Sequence, residues 1–149
     1  MKEYILAIDQ GTTSSRAILF DKACNVVAIE QEEITQIFKH PGWVEEDANE
    51  IWLKTLAVIA KVLAMSDIHP SQIKAIGITN QRETTVVWDK HTGLPIHYAV
   101  VWQSRQSDVV CEQWSKNNWE ACIKNKTGLP IDPYLSASKI RWILDQYTN

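Results

Sequence analysis

The sequence predicts an α/β fold built on a mixed sheet, and three observations predict it. Short β-prone runs come first and close together. A long run with helical periodicity follows them. Strand-like and helix-like segments then interchange toward the C-terminus.

The first two runs are Tyr4 to Ile8 (YILAI) and Ala17 to Phe20 (AILF), separated by the polar stretch Asp9 to Arg16 (DQGTTSSR). Two strands joined by a tight turn are expected, with Gly11 where the backbone calls for positive φ. Val26 to Ile29 completes a meander. The turn-like His40-Pro41-Gly42-Trp43 leads to Asp47, which with Glu50 has the D-x-x-E spacing of a capping box. Trp52, Leu56, Ile59 and Leu63 then recur at helical spacing and are read as a core stripe rather than a cofactor box.

Pro70 closes that connection, and Ile73 to Thr79 (IKAIGIT) alternates like a strand. Thr84 to Trp88 is a second β-rich run, Thr92-Gly93 a turn, and Ile96 to Trp102 a further strand. From Ser104 the pattern is helical, with Val109, Val110 and Trp114 on one side, until Thr127-Gly128-Leu129-Pro130 breaks it. Ser136 is the expected N-cap of a last helix carrying Ile140, Ile143, Leu144 and Tyr147.

A chain of 149 residues fits one compact domain, and no repeat or linker divides it. With 45% hydrophobic and 22% charged residues, it has the composition of a globular protein rather than a disordered one. A net charge of −3 argues against a nucleic-acid surface or an anionic-membrane binder. Cys24, Cys111 and Cys122 are an odd set without C-x-x-C spacing, which speaks against a disulfide framework or a zinc site and fits a reducing compartment. His40, His69, His91 and His97 form no i, i+4 pair and are read as surface or packing residues. No apolar run has the length of a signal peptide core or a membrane span, so a cytoplasmic protein without membrane insertion is expected. Most of the seven tryptophans are expected to be buried or half-buried.

Three places have side chains suited to chemistry. In the first turn, Gly11 with Thr12, Thr13, Ser14 and Ser15 offers N–H and O–H donors suited to phosphate oxygens, while Asp9 suits a hydrated Mg²⁺ and Arg16 adds positive charge. The alternative is an ordinary hairpin turn rich in Thr and Ser. Asn80-Gln81-Arg82-Glu83 lies just past a strand end, where α/β sheets favour ligands; Arg82 and Glu83 together can donate to and accept from vicinal hydroxyls. The alternative there is a surface ion pair. Trp102 and Tyr134 read either as walls of a small pocket or as packing. No Walker loop, dinucleotide fingerprint or nucleophile elbow is present.

Taken together, these stretches resemble the carbohydrate kinases that share the ribonuclease-H-like, actin-like ATPase fold, and among them the members that phosphorylate glycerol. The resemblance rests on DQGTTSSRAILFD, on PGWVEEDANEIW from Pro41 to Trp52, on IGITNQRETTVVWDKHTGLPIHYAVVWQSRQ from Ile76 to Gln106, and on KTGLPIDPYLSASKIRWILD from Lys126 to Asp145. It implies that Thr12, Thr13 and Ser14 contact ATP phosphates with Arg16 adjacent, and that Asp9 holds Mg²⁺ through water. Arg82, Glu83, Trp102 and Tyr134 would form the glycerol pocket. The implied reaction is ATP-dependent phosphorylation of glycerol to sn-glycerol 3-phosphate. The alternatives are another polyol or sugar, or a non-catalytic truncated binding module.

Members of that family are several times longer. The resemblance therefore implies that residues 1–149 are the N-terminal part of the N-terminal domain, with the C-terminal domain absent. A homo-oligomer is expected at full length. The family's general-base aspartate would lie beyond Asn149, so no catalytic residue is assigned and 1–149 alone is expected not to turn over.

Overall fold

The computed structural model describes residues 2–147. Its strands are β1 (Tyr4–Gln10), β2 (Ser14–Asp21), β3 (Val26–Glu33), β4 (Gln36–Ile37), β5 (Glu45–Glu46), β6 (Ile73–Thr79) and β7 (Ala99–Val100). Its helices are α1 (Ala48–Ser66), α2 (Asp108–Lys116), α3 (Glu120–Thr127) and α4 (Ser136–Asp145). Length suggested one compact domain; the chain instead forms two compact units. One comprises the residues up to Thr35 with Asp47–Gln81, the other Gln36–Glu46 with the residues from Arg82 onward. Each has its own hydrophobic core, which is why neither chain length nor a missing linker revealed the division.

The first unit is a sheet in the order β3-β2-β1-β6 with α1 packed on it. β1 and β2 pair antiparallel from Tyr4↔Asp21 to Gln10↔Ser15, β2 and β3 are antiparallel, and β1 and β6 are parallel. The sheet is mixed, as the sequence predicts. Alternation puts Tyr4, Leu6, Ile8, Ala17 and Leu19 on one face, where they bury against Val58, Val62 and Ile68. Ile5 and Ile29 lie exposed.

Asp47 caps α1, its carboxylate accepting from the Asn49 N–H at 2.8 Å. The expected capping box is only half made, because Glu50 turns away to accept from the Thr35 N–H (3.3 Å) and hydroxyl (3.0 Å). The buried face also differs from the expected stripe. Thr55, Val58 and Val62 are buried, Ile59 and Leu63 flank them, and Trp52 and Leu56 are exposed. At about 100° per residue, the buried face is rotated about a quarter turn from the large residues that dominated the periodicity.

The second unit carries a three-stranded sheet in the order β4-β5-β7 and the helices α2, α3 and α4. Its core is Val100, Val110, Trp142 and Ile143, flanked by Trp43, Val87, Ile96 and Trp114. Strand content is lower here than the sequence suggests. Of Ile96 to Trp102 only Ala99–Val100 is a strand, and Thr84 to Trp88 contributes only the isolated bridges Thr85↔Val100 and Trp88↔Pro95. The turn at Thr92-Gly93 forms as expected, with Gly93 at φ +72° and Asp89 accepting from the N–H groups of His91 and Thr92.

The helical stretch after Ser104 is two helices, parted around Asn118, whose φ of 59° lies in the left-handed region. On α2, Val110 and Cys111 are buried and Val109 is exposed. On α4, Ser138, Lys139, Trp142 and Ile143 are buried, while Ile140 and Leu144 face outward; Tyr147, expected on this helix, lies in the turn past its end and is exposed. Four tryptophans, Trp52, Trp88, Trp102 and Trp119, are exposed, more than expected. The histidines are surface or packing residues, as expected: His97 stacks edge-on with Trp142 and His40 with Trp43, while His69 and His91 are exposed. No helix of the described residues is long and apolar enough to cross a membrane.

Candidate active site

The polar turn of the first unit is tighter than its sequence suggests. β1 runs to Gln10 and β2 starts at Ser14, so Thr12 and Thr13 form the tip. The Gly11 N–H donates to the Ser14 carbonyl at 3.0 Å. Gly11 does not have positive φ, contrary to expectation. What demands glycine is close approach, since a Cβ there would meet the Ser14 carbonyl oxygen at 3.1 Å. Two contacts hold the turn from outside: the Ile34 N–H donates to the Thr13 carbonyl at 2.9 Å, and Gln81 Nε2 donates to the Gly11 carbonyl at 3.0 Å. Gln81 is 6% exposed and came into the sequence reading only as a member of its cluster.

Asp9 and Arg16 are register partners across β1 and β2, with Arg16 Nη1 3.9 Å from Asp9 Oδ2. Arg16 also donates through Nε to Gln31 Oε1 at 2.9 Å. The guanidinium therefore lies along the sheet, oriented by two partners, beside the turn's donors. Ser15 points the other way and is fully buried, sharing a 3.1 Å hydrogen bond with Thr55. It supports the turn from beneath.

In the second unit, Glu83 stands at the start of α4. The Ser136 N–H and hydroxyl both donate to Glu83 Oε2 at 2.7 Å. This corrects the expected cap: Leu135 is the N-cap residue and its side chain makes no capping bond. Ser136 is instead the first helical residue, and an acid distant in sequence satisfies its N–H. The two Ser136 bonds, the hydroxyl's first, and the charge of Lys139 hold the Glu83 carboxyl below the usual carboxylate range against some desolvation. Glu83 has φ of 66°. A non-glycine residue in that region costs about 1–3 kcal/mol and persists where surrounding structure imposes it.

Trp102 and Tyr134 come together edge-to-face, centroids 6.1 Å apart at 76°. The Trp102 N–H donates to the Thr84 hydroxyl at 3.2 Å, which ties that corner to the residue after Glu83. Asp132 accepts from the Tyr134 N–H at 2.8 Å. Arg82 is exposed, next to Glu83 in the chain. Glu83 and Ser136 also reach a cavity of about 530 Å³ walled chiefly by Trp114, Trp119, Ile123 and Leu135. That wall is apolar and lacks Trp102 and Tyr134, so it does not suit a small polyol.

Residues 4–149 match the N-terminal domain of the FGGY family of carbohydrate kinases. The chain belongs to that family. It is 61% identical over 145 residues to a glycerol kinase of Geobacillus sp. strain WCH70, an alignment that takes in 97% of this chain and 29% of that protein. With the glycerol kinase of Bacillus subtilis strain 168 the identity is 59% over 145 residues, again 97% of this chain and 29% of the relative. Among solved structures, Plasmodium falciparum glycerol kinase with ADP aligns at a TM-score of 0.89 and 30% identity, covering 99% of this chain and 29% of that one. A gluconate kinase from Lactobacillus acidophilus aligns at 0.87 and 21% identity, covering 100% of this chain and 30% of that one, a likeness of fold. The expected ribonuclease-H-like, actin-like fold is thus borne out, and the chain spans about 29% of the length of the curated relatives it matches.

For this FGGY domain, sequence reasoning missed Ser136 as the partner of Glu83 and said nothing of Lys139. A lysine three residues before the buried Trp142 on an amphipathic helix was the available signal.

Proposed function

We propose that the protein containing this chain transfers the γ-phosphoryl group of ATP to a terminal hydroxyl of glycerol, giving sn-glycerol 3-phosphate. The observation that carries the reading is Glu83: both Ser136 donors converge on Oε2, which leaves Oε1 to accept from a substrate hydroxyl. The carboxylate is held ionised, the state that accepts hydroxyl protons. The Trp102–Tyr134 corner supplies an apolar wall for a three-carbon chain, and Arg82 supplies donors for its oxygens. Relatives named glycerol kinase at 61% and 59% identity favour glycerol over the larger sugars acted on by structural neighbours that share only the fold.

For ATP, the donors are the N–H and hydroxyl groups of Thr12, Thr13 and Ser14, with Arg16 beside them. Phosphoryl transfer asks mostly for positioning and charge stabilisation, which a rigid turn braced by Gln81 provides. No group of three His, Cys, Asp or Glu suited to a metal occurs among the described residues. A Mg²⁺ that keeps most of its waters and its phosphate ligands needs only one carboxylate, and Asp9, whose side chain is 44% exposed, fits that part. When bound, the ion neutralises charge on the phosphates.

The test is turnover of glycerol, xylulose and gluconate by the whole protein with MgATP. Glycerol is expected to dominate kcat/KM; a sugar exceeding it would overturn the assignment. Arg82→Ala is expected to lower glycerol kcat/KM about tenfold to a hundredfold, the effect of losing a charged hydrogen bond.

A further inference from the structure

Lys139 is fully buried on α4, a position almost never held by an unpaired lysine. It has no part in the site as proposed. Its Nζ donates to the Tyr134 carbonyl and lies 5.9 Å from the centroid of the Tyr134 ring. The charged and titratable groups around it are Glu83, Asp132 and Cys111. Two of these belong to the proposed pocket or its support: Glu83 accepts from Ser136, one turn before Lys139, and Asp132 accepts from the Tyr134 N–H. Desolvation pulls the Lys139 ammonium down to about 8, with Glu83 the first of the charges resisting that fall. Cys111 is itself pushed up by burial, so it is a thiol and gives the ammonium no charge at neutral pH.

We propose that Lys139 is a positioning residue for polyol recognition: its buried charge fixes the Tyr134 backbone and ring and balances Glu83 as that carboxylate accepts a substrate hydroxyl. This rests on the reading of Glu83, Trp102 and Tyr134 as the polyol pocket. A buried ammonium held by a single backbone carbonyl is a poor structural device, since an apolar side chain of equal length would fill the space without its desolvation cost. Its charge has a use if it acts on neighbours whose orientation matters. Lys139 touches no substrate in this scheme.

The experiment is a double-mutant cycle in the whole protein, with Lys139→Met, Glu83→Gln and both together, reading KM and kcat for glycerol, KM for ATP and the melting temperature. Lys139→Met is expected to raise the glycerol KM about tenfold with a smaller change in kcat and none in the ATP KM. Its effect should be several-fold smaller in the Glu83→Gln background, where the charge it balances is gone and only its hold on Tyr134 remains. Effects on glycerol KM that simply add, or a folded Lys139→Met with unchanged glycerol KM, overturn the proposal. If Glu83→Gln alone leaves the glycerol KM unchanged, it is the pocket reading that fails.

A second measurement needs no variant and decides the matter if Lys139→Met does not fold. In the unmodified protein the glycerol KM should climb as pH rises through about 8, the value to which burial brings Lys139, while the ATP KM stays level. A glycerol KM that is flat across that range overturns the proposal.

Discussion

Ser136→Ala separates the helix-start role of Glu83 from its proposed substrate role more cleanly than any change to Glu83 itself. The substitution removes one of the two 2.7 Å donors to Oε2 and leaves the Ser136 N–H in place. A hydrogen bond to a charged group contributes about 1.5–3 kcal/mol; with Glu83 only half-buried, about 1–2 kcal/mol is the expected loss at the start of α4. The carboxylate then rotates more freely about its remaining bond, so Oε1 is less well aimed, and the glycerol KM should rise about threefold to tenfold with kcat nearly unchanged.

There is also a pH signature. The Ser136 hydroxyl is the largest influence lowering Glu83, so its loss moves the group back toward 4.5. Stability contributed by a depressed carboxylate is complete above its unfolded pKa and is lost as pH falls through its folded pKa. In the variant that contribution is smaller, and its loss is complete at a higher pH. The assay is steady-state glycerol kinetics at neutral pH, beside thermal melts from pH 6 down to pH 3. A folded variant with wild-type glycerol KM and an unmoved acid limb would refute the idea that Ser136 aims Glu83.

Other outcomes follow from the same contacts. Gly11→Ala places a Cβ 3.1 Å from the Ser14 carbonyl and should raise the ATP KM about threefold to tenfold while sparing the glycerol KM, in two-substrate kinetics. Thr55→Val keeps shape but strands the buried Ser15 hydroxyl, at a cost of about 1–3 kcal/mol read in urea denaturation. Trp102→Ala strips one wall from the Trp102–Tyr134 corner and should raise the glycerol KM about tenfold, with Trp102→Phe recovering most of it.

The first unit was legible because its strands bury one face only. Tyr4, Leu6 and Ile8 alternate cleanly with exposed or half-buried neighbours, and the turn between β1 and β2 carries its own polar signature. The helix after Asp47 was equally legible as a helix, but its buried face was not. Trp52 and Leu56 outweigh Thr55 and Val58 in a periodicity count, whereas the sheet accepts the smaller side chains. The second unit was harder to read because its strands are two residues long, too short for alternation to register, and are fixed by pairing between distant segments.

Within the site, Glu83, Trp102 and Tyr134 could be singled out from residue type and motif. The donors that orient Glu83 could not, because Ser136 lies 53 positions away and looked like a cap for its own helix.

Glu83 explains why a residue that suits a surface ion pair by sequence has so little freedom in the fold. Two features restrain it: a left-handed backbone, and two donors on one oxygen, one of them the first N–H of α4. If the need were only for a helix cap, an aspartate or serine at Leu135 would serve without backbone strain. If it were only for a hydroxyl acceptor, a freely rotating carboxylate would do. Together they give an ionised acceptor whose second oxygen is fixed in direction, which is what selecting a small polyol over a solvating water requires. Under the proposed function, the helix start belongs to the recognition device, and the left-handed backbone at Glu83 is what that proposal accounts for.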